Sequence, residues 1–396
     1  MIPYGKQNIT EQDILAVTEA LKGDFLTQGP TILKFEKLFA EYIGCKYAVA
    51  VANGTAALHL NALALNVKPG DKVITTPITF AASANCIRYC GGEVVFADID
   101  NDTYLLDIEK VEALLKAAPK GTYQGIVPVD FAGRAIDLEA FRKLADEYGL
   151  WIIQDSCHSP GGYFIDSKGQ KQNCGNGNFA DLAIFSFHPV KHIATGEGGM
   201  ITTNDEKLYK KLLELRTHGI TRDASIFQNS VSFAAGQEVP ENSAYPGWYM
   251  EMQTLGYNYR FTDFQAALGI SQLSRAHQGL ERRKEIAKKY NEHFSNHNKI
   301  KGHSGFVEGH AYHLYVIEVE DRLGLYNFLR EHKIFAQIHY IPCHLMPYYQ
   351  QFGWKKNDMP KAEEYYKNCL SLPLYPTLTN QEQDFVLECI ERFFKL

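Results

Sequence analysis

Trp151-Ile152-Ile153-Gln154-Asp155 and, further on, Ala183-Ile184-Phe185-Ser186 decide the fold. Each is a short apolar run of strand rather than helix length, and each ends on a polar side chain. The second continues through Phe187-His188-Pro189-Val190 to Lys191, with glycine-rich Gly196-Glu197-Gly198-Gly199 just beyond. Upstream, strand patterns at Tyr47–Val51, Lys72–Thr76, Glu93–Ala97 and Ile126–Val129 alternate with helical ones. The helices run from Ala56, over Ala81–Cys90, from Asp107 and over Leu138–Tyr148. Such alternation predicts an α/β domain on a large, mostly parallel sheet. Its ligand belongs beyond the carboxyl ends of the strands, where Asn53, Pro77 to Phe80, Asp155 and Ser186 all fall.

The flanks are read from the same signals. Thr10-Glu11-Gln12-Asp13 opens a capped helix with Ile14, Val17 and Leu21 at helical spacing. A second helix carries Leu33, Phe35, Leu38, Phe39 and Tyr42 and stops at Gly44. Thr221–Tyr249 has no clear period, and a lid, a substrate loop and hidden short structure are all open there. A long helix from Gln278 through Tyr290 leads to a smaller α+β unit. Its strands are predicted at His313–Ile317 and Phe335–His339, its helices at Arg322–Glu331 and Thr379–Phe394. The expected division is 1–275 for the N-terminal segment and large domain, and 276–396 for the linking helix and small domain.

Composition narrows the function classes. The 396 residues allow a large core and more than one domain. Net charge is −6, and no run of Lys and Arg suggests a nucleic-acid groove. No stretch has the apolar length of a membrane helix, and Met1 to Lys6 lacks a signal peptide's apolar core. The 8 cysteines form no CxxC pair, so a reducing, cytoplasmic setting is the simplest reading. Cys157-His158 and Cys343-His344 lack zinc-ligand spacing, and no metal is expected.

Lys191 carries the chemistry. A strand delivers Ser186, and a short turn then presents one amine beside a glycine segment. That order suits a Schiff base to an aldehyde cofactor, with a hydroxyl for the cofactor's phosphate; pyridoxal 5′-phosphate (PLP) fits. Asp155 is the best-placed carboxylate to keep the pyridine nitrogen protonated, and capping the turn after its strand is its plainer role. Gly54-Thr55 begins a helix whose free N–H groups can receive a phosphate. Phe80 can stack on the ring or serve as a core residue. Gly196 to Gly199 reads as a tight turn, because it follows the lysine and opens no dinucleotide-binding unit.

Taken together, several stretches resemble the PLP-dependent nucleotide-sugar aminotransferases of fold type I. They are Gly54-Thr55-Ala56-Ala57, Asp155-Ser156-Cys157-His158, Phe185 to Lys191, Gly196 to Gly199, and Gly256-Tyr257-Asn258-Tyr259-Arg260-Phe261-Thr262-Asp263 onward. The resemblance implies that Lys191 bonds the cofactor and that Asp155 faces its nitrogen. It implies phosphate contacts from Gly54, Thr55 and Ser186, stacking by Phe80, and His158 near the phenolic oxygen. It also implies a homodimer in which Asn258 reaches the other subunit's phosphate. Ile2 to Gln7, Leu26-Thr27-Gln28-Gly29-Pro30, His218-Gly219-Ile220 and His339-Tyr340-Ile341-Pro342 are similar to the UDP-4-keto-6-deoxy-sugar aminotransferases of pseudaminic acid biosynthesis. That closer likeness implies L-glutamate as donor, a UDP-linked keto sugar as acceptor, and sugar contacts from Tyr4, Thr27, Gln28 and Tyr340. Related enzymes acting on a 3-keto sugar or another 4-keto configuration are the alternative. His188-Pro189-Val190 and Gln154-Asp155-Ser156-Cys157 depart from common family versions without removing a reacting group.

Overall fold

A computed structural model describes residues 1–301 and 306–395. Seven strands form the central sheet, in the order Tyr47–Val51, Gly199–Thr203, Leu182–Ser186, Trp151–Asp155, Tyr123–Val127, Lys72–Thr75, Glu93–Phe96. All neighbours pair in parallel except Gly199–Thr203, which is antiparallel to both strands beside it. The sheet is buried on both faces, which explains why its strands read as near-continuous apolar runs. Ile74, Ile126, Ile152, Ile153, Leu182 and Ile184 are all fully enclosed.

A second apolar core gathers Tyr290, Phe294, Ile317, Leu329, Leu372 and Ile390. The helices Ala276–Phe294, Arg322–Glu331 and Asn380–Phe393 pack around the antiparallel pair Tyr315–Glu318 and Cys369–Leu372. The chain's first strand joins this unit: Ile2–Pro3 pairs in parallel with Ile334–Phe335, and Ile2 is buried in its core. Tyr4 follows directly, its carbonyl accepting from the Leu374 amide at 2.9 Å.

Two strand readings are corrected. The strand expected over Phe335–His339 is only Ile334–Phe335, because beyond it a single bridge, Gln337 to Ser371, continues the pairing. The Ile126–Val129 strand is Tyr123–Val127; Val129 makes an isolated bridge to Asp155 after Pro128 interrupts the ladder. The first helix, Glu11–Lys22, has the expected capping box but turns its apolar residues outward. Ile14 and Leu21 are 51% and 55% exposed, while Asp13 is fully buried. Asp13 accepts from Arg275 Nη1 at 2.9 Å and from Gln272 Nε2 at 3.0 Å, so an ion pair seats this helix.

Residues 221–249 hold short structure: a 3₁₀ turn at Ala224–Ile226 and a helix at Val231–Ala235. Glu251 pins the segment from behind, accepting from the amides of Gln228 and Asn229 and from the Tyr249 hydroxyl. Among the described residues, no helix is long and apolar enough to cross a membrane.

Candidate active site

One cavity of about 870 Å³ opens at the carboxyl ends of the strands. It falls within the size range of cofactor and substrate clefts. Its lining includes Asn53, Gly54, Thr55, Phe80, Asp155, His158, Ser186 and Lys191, brought together from across the first half of the chain. Tyr4 and Tyr340 also line it.

The phosphate cradle is built by close approach. Asn53 caps the Gly54–Ala64 helix, its Oδ1 accepting from the Ala56 amide at 2.8 Å. The Gly54 and Thr55 amides at the helix start therefore stay free of intrahelical partners, and the helix dipole adds to their pull on an anion. A Cβ on Gly54 would sit 3.1 Å from Ser186 Cβ and 3.4 Å from its Oγ. A glycine here lets the strand-end hydroxyl and the helix start share one small space.

Asp155 is 5% exposed at the end of its strand. Oδ2 accepts from Ser83 Oγ at 2.6 Å and Oδ1 from the Cys157 amide at 3.1 Å. Thr79 Oγ1 lies 2.7 Å from Ser83 Oγ. A carboxylate only accepts, so Ser83 donates to Asp155 and Thr79 donates to Ser83. Two donors leave carboxylate lone pairs free for a third, such as a ring N–H.

His158 has a defined tautomer. Its Nδ1 accepts from the Ala132 amide at 3.2 Å. Burial, and then the Lys191 charge, push its pKa well below the ordinary histidine value, so the ring is neutral. The proton therefore sits on Nε2, which donates to the Tyr340 hydroxyl 3.2 Å away. Tyr340, whose own pKa burial drives up, remains a phenol with its O–H free to donate.

Lys191 Nζ lies 3.5 Å from His313 Nε2. Burial lowers its pKa, Cys157 and Asp155 oppose that, and Arg283 adds to it. A lowered pKa enlarges the fraction of free amine, the form that attacks a carbonyl. Phe80, 64% exposed, offers a bare aromatic face to the cavity. Free amine, carboxylate, anion cradle and bare ring fit the aldehyde, nitrogen, phosphate and face of PLP.

Three expected residues lie elsewhere. Thr27 and Gln28 are exposed and line no part of the cavity. Asn258 is also exposed, bridged to Thr217 on the flank. Residues 221–249 contribute nothing to the lining either. Conversely, the sequence assigns no individual role to Ser83, Thr79, Tyr259 or His313. Ser83 sits one turn after Phe80 on the same helix start, a weak signal that the Asp155 contact alone makes meaningful.

The model of the DegT/DnrJ/EryC1/StrS aminotransferase family matches residues 7–391. The chain belongs to that family. This family member is a sugar aminotransferase, and its cofactor is PLP. It is 38% identical to the spore coat polysaccharide biosynthesis protein SpsC of Bacillus subtilis, over 100% of this chain and 97% of that protein. It is 35% identical to a UDP-4-amino-4,6-dideoxy-N-acetyl-beta-L-altrosamine transaminase of Campylobacter jejuni, over 98% and 96%. Helicobacter pylori PseC, an aminotransferase of pseudoaminic acid biosynthesis, superposes with TM-score 0.85 at 29% identity, covering 100% and 99%. Spr1654 of Streptococcus pneumoniae, solved in its PMP form, gives 0.87 at 28%, covering 100% and 99%.

Proposed function

We propose that this family member transfers the amino group of L-glutamate to C4 of a UDP-4-keto-6-deoxy-N-acetylhexosamine. The products are UDP-4-amino-4,6-dideoxy-N-acetyl-β-L-altrosamine and 2-oxoglutarate. The convergence of Lys191, Asp155, Phe80 and the Gly54–Ser186 cradle on one cavity carries the reaction type. The Campylobacter and Helicobacter relatives support the acceptor.

The bound cofactor supplies delocalisation of the negative charge left when a C–H bond next to nitrogen breaks. The residues do the rest. Lys191 Nζ would hold the cofactor through its aldehyde carbon and would hold and move the proton at the reacting carbon. Asp155, steadied by Ser83, would keep the ring nitrogen charged. Gly54, Thr55 and Ser186 would hold the phosphate, Phe80 would stack on the ring, and His158 would serve the phenolic oxygen. Tyr4 and Tyr340 bound the sugar.

The working unit in this reading is a homodimer with two shared sites in the cytoplasm. Ile14, Leu15, Leu21, Phe25, Leu26 and Leu33 are each more than half exposed along the first two helices and their connection. An apolar surface of that extent suits burial against a second copy. Asn258 of the partner subunit then completes the phosphate site, and Thr27 and Gln28 serve the neighbouring cavity. The eight cysteines are all free thiols, in keeping with a reducing compartment.

A second reading is a related nucleotide sugar with a 3-keto group or another 4-keto configuration; SpsC, 38% identical, is named for a different product, spore coat polysaccharide. The deciding experiment offers L-glutamate and UDP-linked 2-acetamido-2,6-dideoxy-4-hexuloses of both C5 configurations. Product mass and NMR then assign the new amine. Amination at C4 of the L-arabino isomer is expected. Transfer at C3, or only to the D-xylo isomer, defeats this acceptor.

A further inference from the structure

His313 stands behind Lys191, outside the cavity lining. It is 5% exposed, with Nε2 3.5 Å from Lys191 Nζ. Its ring packs at 4.3 Å on His158 and 5.7 Å on His192. Its backbone is clamped at both ends. The amide donates to the Ala132 carbonyl at 2.9 Å, and the carbonyl accepts from Arg283 Nη1 at 3.3 Å. Gly133, at φ +97°, admits this segment just before the Tyr315–Glu318 strand: a Cβ there would lie 2.9 Å from the His313 amide nitrogen.

Arg283 is 1% exposed and forms no ion pair among the described residues. It spends Nη1 on the carbonyls of Tyr312, His313 and Leu374. A buried cation left uncompensated disfavours any second positive charge nearby. The His313 ring faces Lys191, His158, His192 and Arg283, with no carboxylate among the groups that shift it. It stays neutral.

We propose that His313 is the positioning residue of the Lys191 amine, offering Nε2 as a fixed acceptor that turns the nitrogen's remaining valence toward the cavity. A free amine has two N–H bonds and an ammonium three, so the acceptor engages the nitrogen in both states. The tether therefore survives while Lys191 takes a proton and gives it up. His313 Nδ1, which has no hydrogen-bond partner among the described residues, carries the ring's own proton. This rests on the assignment of Lys191 as the lysine that bonds the cofactor.

The test uses holoenzyme with His313→Gln, His313→Asn and His313→Leu. Glutamine can place its amide oxygen where Nε2 stood; asparagine and leucine cannot. Single-turnover amination by L-glutamate is expected to fall about tenfold or more in the Asn and Leu variants, the scale of a hydrogen bond to a charged group. Half-saturation by glutamate should barely move, and Gln should recover most of the rate. A second readout needs no turnover. With each protein loaded with pyridoxamine phosphate, competitive acetylation across pH followed by peptide mass spectrometry reads the Lys191 titration. Losing an acceptor that favours the ammonium moves that titration to lower pH in Asn and Leu, against the pull of Asp155 and Cys157 and with that of Arg283, while the nearby His158, His192 and His339 rings are neutral. Unchanged titration and rate in the Asn variant overturn the proposal, as does a Gln variant no better than Asn, even if Leu does not fold. Borohydride reduction of the PLP form checks the underlying assignment separately: a pyridoxyl adduct on another lysine refutes Lys191 itself.

Discussion

Ser83→Ala tests whether Asp155 is held in place or merely present. Ser83 is fully buried, and its hydroxyl donates to Asp155 Oδ2 at 2.6 Å. A bond this short to a carboxylate is charge-assisted and worth about 1.5–3 kcal/mol. Alanine leaves Asp155 with the Cys157 amide at 3.1 Å as its remaining donor. It also strips Thr79 Oγ1 of its 2.7 Å acceptor. If the lost bond steadies the carboxylate against the ring nitrogen, the glutamate half-reaction slows by roughly 10- to 150-fold, since 1.4 kcal/mol is tenfold. Stopped-flow absorbance of the PLP band, in protein whose folding is verified by circular dichroism, measures this directly. Thr79→Val is the graded control. It removes a neutral hydroxyl pair, worth about 0.5–1.5 kcal/mol, and leaves the Ser83–Asp155 bond intact. Its effect should be roughly tenfold at most. A Ser83→Ala half-reaction within twofold of wild type, or a Thr79→Val effect as large, would refute the directional Thr79–Ser83–Asp155 chain.

Gly54→Val should weaken PLP binding by about tenfold or more, because a side chain there meets Ser186 Cβ at 3.1 Å and fills the cradle; equilibrium dialysis measures it. Lys191→Met should stabilise the apo-protein. The folded-state pKa of this lysine is lowered, so the unfolded chain binds more protons, and its cost is largest below that folded pKa and fades as pH rises toward 10.5. Urea titrations from pH 7 to 10 should show the gap closing. Asp13→Ala strands Arg275 without its buried partner, costing about 3–5 kcal/mol, and should shift the protein toward monomer in sedimentation runs by unseating the helix that carries Ile14 and Leu15.

The parallel sheet was legible because buried strands leave continuous apolar runs: Tyr47–Val51, Trp151–Asp155 and the helix Leu138–Tyr148 lie where the pattern puts them. The Gly199–Thr203 strand carries no such signal: only the turn Gly196 to Gly199 before it is legible, and Met-Ile-Thr-Thr is too short and polar to announce a strand. Its antiparallel course depends on both neighbours supplying ladders. The outward turn of Ile14 and Leu21 was equally hidden. Helical spacing shows that one face is apolar, but not whether that face meets its own core or another surface. Lys191, Asp155 and Ser186 stood out because strand ends and glycine turns mark them. Ser83 and His313 carry no such mark; only the folded distances to Asp155 and Lys191 reveal them.

Tyr4 lines the cavity, yet Ile2 is fastened to Ile334 and the Tyr4 carbonyl to the Leu374 amide. One wall of the cavity is thus made well before the segments that anchor it, around residues 334 and 374. During synthesis the central sheet can assemble well before residue 374 leaves the ribosome, but this wall cannot. The Tyr4 side of the cavity therefore stays open on the nascent chain, and substrate-sized closure waits until residue 374 has been made.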